Sequence, residues 1–395
     1  MAHLAGTRTQ HARRVVMLLE NNPYPQDTRV RNEAESLTEA GFEVTVLAPR
    51  GPGQPRVERV NGVEVRRFAI VWAGDSPLSY LAEYGIAHVQ LLTRSLLALA
   101  RGARVVHLHG PPDTLFVAGV FARAARRKVV FDLHDSGPEL FLAKFGASPP
   151  VLAALRAAQR QAIRWASHVV VTNESQRELV HRHGGRTAEE VSVVRNGPRA
   201  REFAATPAPR TGALAAPLLI YVGALDTQDG VLELGDLLTA PGLEHATLTI
   251  VGDGPVRAHL RERCRELEVD ARVMFTGQVA HAHVPRLIAD ADIGVDPAPG
   301  TELNHGSTMI KVVEYMGAGR PLVAYALRET RRSAGDAALY APCGEPAAFA
   351  ALVVQLARDG ERRMRMADAA RSRARELAWE RSAQVLHDAY ERLAA

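Results

Sequence analysis

Short runs of branched apolar residues alternate with helical stretches twice along this chain, and that alternation restricts the fold more than any other feature. In the first half, residues 15–19, 44–47, 104–108, 128–132, 169–171 and 191–195 read as strands. Helices are predicted over 28–40, where Gly41 supplies a stop, over 78–100 and over 113–125. Short apolar strands separated by helices are the signature of a parallel, doubly wound α/β sheet covered on both faces. Ligands bind such sheets at the carboxyl ends of the strands. Between 201 and 217 the chain reads REFAATPAPRTGALAAP, rich in proline and alanine and without periodicity, which predicts a linker. The alternation then restarts, with strands at 218–222, 246–251, 273–275, 293–295 and 322–324 and helices at 345–357, 360–376 and 379–393. Two doubly wound, Rossmann-like domains are expected, with a substrate cleft between their strand ends.

A length of 395 residues fits two such domains, and 47% hydrophobic residues beside 23% charged ones support sizeable cores. No apolar run approaches the roughly 20 residues that cross a bilayer. The first residues, MAHLAGTRTQHARR, lack an apolar signal core and read as a loose tail. Cys264 and Cys343 have neither disulfide-framework nor metal-ligand spacing, so a cytoplasmic location is expected. The net charge of +4 comes with arginine clusters at 123–128 and 362–375. No aromatics are interleaved with them to stack bases, which speaks against a nucleic-acid partner. A basic face permits weak peripheral contact with the anionic inner face of a membrane. His281, His283 and His305 lack the i,i+4 helical pairing of metal ligands and read as surface loop residues.

The segment 302–325, ELNHGSTMIKVVEYMGAGRPLVAY, carries the chemistry. A polar loop, Asn304 to Ser307, is predicted to run into a helix bearing Lys311 and Glu314, which stops at Gly317-Ala318-Gly319. A helix N-terminus presents unpaired amides and partial positive charge to an anion. Glu314, three residues after Lys311, shares its face and can accept hydrogen bonds from vicinal hydroxyls. A sugar nucleotide would be held in this way, with diphosphate at the helix tip and ribose on the glutamate. The residues alone leave open an ordinary helix with a capped start, and a helical ion pair between Lys311 and Glu314.

Several motifs then fall at strand ends in a telling order. They are Asn22-Pro-Tyr-Pro-Gln-Asp27-Thr-Arg29-Val-Arg31, His107-Leu-His109-Gly110 and Phe131-Asp-Leu-His134-Asp135 with Pro138-Glu139, then Val194-Arg195-Asn196-Gly197. In the second half come Tyr221-Val-Gly223-Ala224, Val251-Gly252-Asp-Gly254-Pro255, Phe275-Thr-Gly277 and Lys311-Val-Val-Glu314-Tyr-Met316. Over nearly its whole length the chain resembles the GT-B glycosyltransferases of family 4, retaining enzymes that use sugar nucleotides.

The resemblance implies an acceptor-binding domain over 1–200, joined by the C-terminal helix at about 379–395, and a donor-binding domain over 218–378. It implies hexosyl transfer from a UDP- or GDP-linked sugar to a hydroxyl of a glycan, lipid-linked or small-molecule acceptor, with no cofactor and no metal. It assigns His134, Lys311 and Glu314 to the catalytic centre. Gly223, Gly252, Gly254, Gly277, Gln278, Ser307, Thr308 and Met309 join Lys311 and Glu314 around the donor. Asp27, Arg29, His109, Asp135 and Glu139 fall on the acceptor side. Two features depart from the pattern. The second glutamate usual in the family falls at Gly306, and the usual diphosphate-holding Arg and Lys fall at Ala224 and Asp229. Lys311 is the leading substitute cation, ahead of Arg195, Arg29 and Arg31. The departures also suit a catalytically silent binding module, and a sugar-nucleotide epimerase shares the fold. A dinucleotide oxidoreductase fits poorly, because the first strand is followed by Pro-Tyr-Pro and not by glycines.

Overall fold

The structure is a computed structural model that describes residues 13–69, 77–203 and 207–394, the side chains of 77–84 excepted. Most of the expected tail and positions 204–206 lie outside the described residues. The chain divides into two compact units, Met1–Val194 with Ser382–Ala395, and Arg195–Arg381.

In the first unit the strands are β1 (Arg14–Leu18), β2 (Glu43–Pro49), β3 (Val57–Val60), β4 (Val63–Phe68), β5 (Val105–Gly110), β6 (Lys128–Leu133), β7 (His168–Val171) and β8 (Val191–Val193). Their order is β3-β4-β2-β1-β5-β6-β7-β8. Every pairing is parallel except β3 with β4. That hairpin is absent from the sequence reading because its outer face is polar. Its turn, Asn61-Gly62 with φ of 48° and 86°, carries the Asn-Gly signal that marks a tight two-residue hairpin.

The helix Thr28–Glu39 starts where the Asp27 carboxylate accepts a hydrogen bond from the Val30 amide at 3.0 Å. It buries the stripe Val30, Ala34 and Leu37. The final helix, Trp379–Ala394, begins in the second unit and ends in the first. There Ala383, Leu386 and Tyr390 are buried, at the spacing read from the sequence. His387 Nε2 reaches the Ser36 carbonyl at 2.9 Å, and the Tyr390 hydroxyl meets Nδ1 of buried His107 at 2.8 Å.

In the second unit β9 (Leu218–Val222), β10 (Thr247–Val251), β11 (Val273–Gly277), β12 (Ile293–Asp296), β13 (Leu322–Tyr325) and β14 (Ala338–Ala341) form one parallel sheet, ordered β11-β10-β9-β12-β13-β14. Alternate residues serve opposite faces. Leu219, Tyr221, Ile250 and Val295 join one core, and Ile220, Val222, Val251 and Leu322 join the other with Val312, Val313 and Met316. The described part of 201–217 is fastened to this unit. Phe203 is buried in its core, Arg210 pairs with Asp292, and the Leu214 amide donates to Ala357 O at 2.9 Å.

One local expectation changes. The polar stretch before the Lys311 helix is not a loop but a short helix, Glu302–Gly306, because the Thr301 hydroxyl accepts from the Asn304 amide at 3.2 Å. Asn304 Nδ2 then anchors it to Gln228 O at 2.8 Å and Pro299 O at 2.9 Å.

In both sheets the strand order reverses next to the first strand, between β1 and β5 and between β9 and β12. At such a switch point the loops leave in opposite directions and open a crevice at the carboxyl ends.

Candidate active site

At the first switch point the chemistry centres on Asp132, a fully buried carboxylate near the end of β6. Arg29 grips it through Nε at 2.8 Å and Nη2 at 2.6 Å. The same guanidinium lies 3.1 Å from Glu33 and donates to Val194 O at 2.7 Å. Burial would push the guanidinium down, but Asp132 and Glu33 hold it well above its ordinary range. Burial would likewise raise Asp132, yet Arg29 and His134 keep it well below the usual carboxylate range. Glu33, buried close to Asp132, is pushed well up.

Two histidines complete the group. His134 Nε2 lies 2.7 Å and His109 Nδ1 3.2 Å from Asp132 Oδ2, and the two ring nitrogens are 3.1 Å apart. A proton on His134 Nε2 satisfies Asp132 and leaves Nδ1 as the ring atom able to face a ligand. His109 is held neutral by burial and stacks on His107 at 4.2 Å. The expected acceptor residues thus separate. His109 and Arg29 join His134 around Asp132, while Asp27 caps the helix that carries Arg29. Asp135 follows His134 and is half-buried. Glu139 accepts a bond from Ser136 at the start of the helix Gly137–Phe145.

Among the described residues Glu33, His107, His109 and Asp132 offer four donor atoms within 4.8 Å of one another. The set does not suit a metal ion. Both Asp132 oxygens are already engaged by Arg29, whose guanidinium is the resident cation of the cluster.

At the second switch point three backbone turns lie against one another. The Gly252 amide donates to Gly277 O at 3.1 Å, and the Gly223 amide to Val251 O at 3.0 Å. Gly252 has φ +135°, and a Cβ there would stand 1.9 Å from Gly223 O. A Cβ on Gly254 would stand 2.4 Å from Leu225 O. Only glycine admits these approaches. Gln278 is exposed beside Gly277.

Lys311 reaches this region from the helix Ile310–Gly317. Its ammonium lies 3.2 Å from Asp229 Oδ1, 3.5 Å from Asp296 Oδ1 and 5.0 Å from the Tyr221 ring centroid. Burial would lower it, but Asp296, Tyr221 and Asp229 hold it well above its ordinary value. Asp229 is nevertheless raised, chiefly by burial. The helical ion pair with Glu314 is not formed. Glu314, 5% exposed, instead faces His281 Nε2 across 3.3 Å. His281, read from sequence as a surface loop residue, is partly exposed and places its imidazole beside this carboxylate. Ser307, Thr308 and Met309 connect the short helix to the Lys311 helix, whose N-cap, Met309, makes no side-chain capping bond. The Ser307 hydroxyl donates to Leu303 O at 2.8 Å. Of the other cations, Arg195 is directed to Ser333 at 3.3 Å and Glu329 at 3.7 Å.

Sequence reasoning missed Asp132, Glu33, Asp296 and His281. Charged residues inside otherwise apolar strands, as at Asp132 and Asp296, were the available signal, since a buried charge requires a partner.

Two parallel, doubly wound units with polar clusters at their switch points define the two-Rossmann α/β architecture. Residues 26–197 match the glycosyl transferase 4-like domain, and residues 216–359 match the glycosyl transferases group 1 domain. The chain is 26% identical over 352 residues to alpha-D-kanosaminyltransferase of Streptomyces kanamyceticus, covering 82% of this chain and 87% of that one. It is 26% identical over 361 residues to 2-deoxystreptamine N-acetyl-D-glucosaminyltransferase of Streptomyces fradiae, covering 85% and 83%. Among solved structures it resembles sucrose-phosphate synthase of Thermosynechococcus elongatus, with TM-score 0.72, 18% identity and coverage of 96% and 99%. It also resembles Anabaena HepE in complex with UDP-glucose, with TM-score 0.70, 19% identity and coverage of 95% and 98%. The chain belongs to the GT-B glycosyltransferases and is a transferase.

Proposed function

We propose that the protein transfers a hexosyl group from a UDP- or GDP-linked sugar to an acceptor hydroxyl with retention of anomeric configuration. The observation that carries this reading is the delivery of Lys311 to Asp229 and Asp296 at the β9/β12 switch point, on the helix that also carries Glu314. Glu314 offers a nearly buried carboxylate to ribose hydroxyls. Lys311, whose ammonium is shared between Asp229 and Asp296, is assigned as the cation that meets a phosphate oxygen. The amides in the first turn of the helix Ile310–Gly317, whose N-cap is Met309, are assigned as further donors to the diphosphate.

As the bond from the anomeric carbon to the diphosphate breaks, negative charge grows on the leaving oxygen. Lys311 and the helix end stabilise it, so catalysis is mainly electrostatic and needs no metal. The acceptor hydroxyl attacks the same face, and the leaving phosphate takes its proton. His134, fixed by Asp132, is assigned to the sugar. Asp135 and Glu139 are assigned to the acceptor, with Asp27, Arg29 and His109 shaping that side.

The names of 2-deoxystreptamine N-acetyl-D-glucosaminyltransferase and of a further relative, 2-deoxystreptamine glucosyltransferase of Streptomyces kanamyceticus, support a small-molecule acceptor. Among the described residues no helix is long and apolar enough to cross a membrane. Catalysis in the cytoplasm, with at most weak peripheral contact at the inner membrane face, is part of the proposal.

The test incubates the purified protein with UDP- and GDP-sugars and an acceptor panel that includes 2-deoxystreptamine. Release of nucleoside diphosphate that depends on acceptor, with a product of unchanged anomeric configuration by NMR, supports the reading. Donor conversion without acceptor marks an epimerase, and absence of turnover with every pair overturns the assignment.

A further inference from the structure

We propose that His281 is a second ribose ligand, forming with Glu314 a two-sided clamp for the vicinal hydroxyls of the donor nucleotide. This inference rests on the nucleotide-binding reading above. The helix Ile310–Gly317 buries Val312, Val313, Tyr315 and Met316, and its glutamate is itself only 5% exposed. The group facing that carboxylate is the His281 imidazole, at 3.3 Å from Nε2 to Oε1, with 36% of its side chain exposed. The pair thus sits at the edge of the protein surface, with one member inside and one at the opening.

The fold fixes the histidine where the nucleotide would lie. β11 ends at Gly277, whose carbonyl accepts from Gly252 at 3.1 Å, and four residues later the chain reaches His281. His281–His283 forms a 3-10 turn that runs directly into the helix Val284–Asp290. Val284 and Ile288 of that helix pack in the same core as Val312 and Val313 of the Glu314 helix. The two halves of the clamp therefore stand on elements locked together by one apolar layer.

The chemistry of the two groups is complementary. An ionised carboxylate only accepts hydrogen bonds, whereas a neutral imidazole nitrogen accepts or donates according to its tautomer. A cis-diol entering between them can donate one hydroxyl proton to Glu314 and place its second hydroxyl on His281 Nε2.

Isothermal titration with UDP, GDP and their 2′,3′-dideoxy counterparts tests the clamp on the wild type and on His281→Ala and His281→Gln. The alanine variant is expected to bind the preferred ribonucleotide about five- to tenfold more weakly. Its affinity for the dideoxy nucleotide is expected to change less than about twofold, and glutamine, which keeps a donor and an acceptor, to recover part of the loss. Ribonucleotide affinity in His281→Ala equal to or above that of the wild type overturns the inference and makes His281 a plug that the ligand displaces. Equal losses for ribo- and dideoxy-nucleotides overturn it in favour of general packing. A wild type that binds neither UDP nor GDP removes the nucleotide reading and this inference with it.

Discussion

The Lys311 ammonium lies 3.2 Å from Oδ1 of Asp229, a residue 82 positions earlier in the chain. The resemblance drawn from the sequence implies a cation near position 229; a carboxylate stands there, and the cation beside it comes from the helix Ile310–Gly317. Asp296, fully buried, makes the second contact at 3.5 Å. Lys311→Met would leave two neighbouring carboxylates with no counter-ion. A loss of about 3–5 kcal/mol in unfolding free energy is expected by urea denaturation. Lys311→Met combined with Asp229→Asn should recover part of it, since one uncompensated carboxylate is then removed. Full stability in the single variant would show that the shared cation is not needed by the fold.

In the first unit Arg29 is likewise a cation shared by two acidic residues. Its guanidinium bridges Asp132 and Glu33, both fully buried. Arg29→Met should cost about 3–5 kcal/mol, because it strands charge that burial otherwise forbids. Arg29→Lys should rescue little, since an ammonium cannot reproduce the bidentate contact at 2.6 and 2.8 Å. Guanidinium chloride denaturation of the three proteins decides this, and a lysine variant as stable as the wild type would refute the bidentate argument.

Much of the architecture was legible beforehand, for a simple reason. Strands buried on both faces are apolar at most positions, so runs such as Leu218–Val222 announce themselves. The β3–β4 hairpin did not, because a half-exposed edge pair such as Val-Glu-Arg-Val with Val-Glu-Val-Arg mixes polar and apolar residues. The burial of Glu314 was legible from its place on a largely apolar helix. Its partner was not, because His281 is brought to it by a different strand, and pairing across a parallel sheet leaves no local periodicity. The same holds for Asp132 and Arg29, which meet only because β6 ends where the helix Thr28–Glu39 begins.

Asp113 gives the first unit a pH dependence. Burial pushes its carboxyl up from 3.8 to about 7, and its Oδ1 is buried without a hydrogen-bond partner. Between those two values the folded state holds a proton that the unfolded state has released. Stability from this group is therefore intact below about pH 4, declines as pH rises, and is lost above about pH 7. The full span corresponds to at most about 4 kcal/mol. Asp113→Asn should flatten this part of the stability profile and be the more stable protein at pH 8. Melting curves of both proteins between pH 5 and 8 measure it, and parallel profiles would sink the account.

Gly252 tests whether the stacked turns of the second unit are needed as built. With φ +135° and a built Cβ 1.9 Å from Gly223 O, alanine at this position forces either the β9 turn or the β10 turn to move. Overpacking and backbone strain of this kind cost about 2–4 kcal/mol. The displaced β9 turn is also the one that lies over Lys311, since a Cβ on Gly223 would come within 2.9 Å of Lys311 Cε. Gly252→Ala is therefore expected to weaken UDP or GDP binding even at temperatures where the variant remains folded. Titration well below its melting point separates the two effects. Wild-type affinity in the folded variant would show that nucleotide binding does not depend on the geometry of these turns.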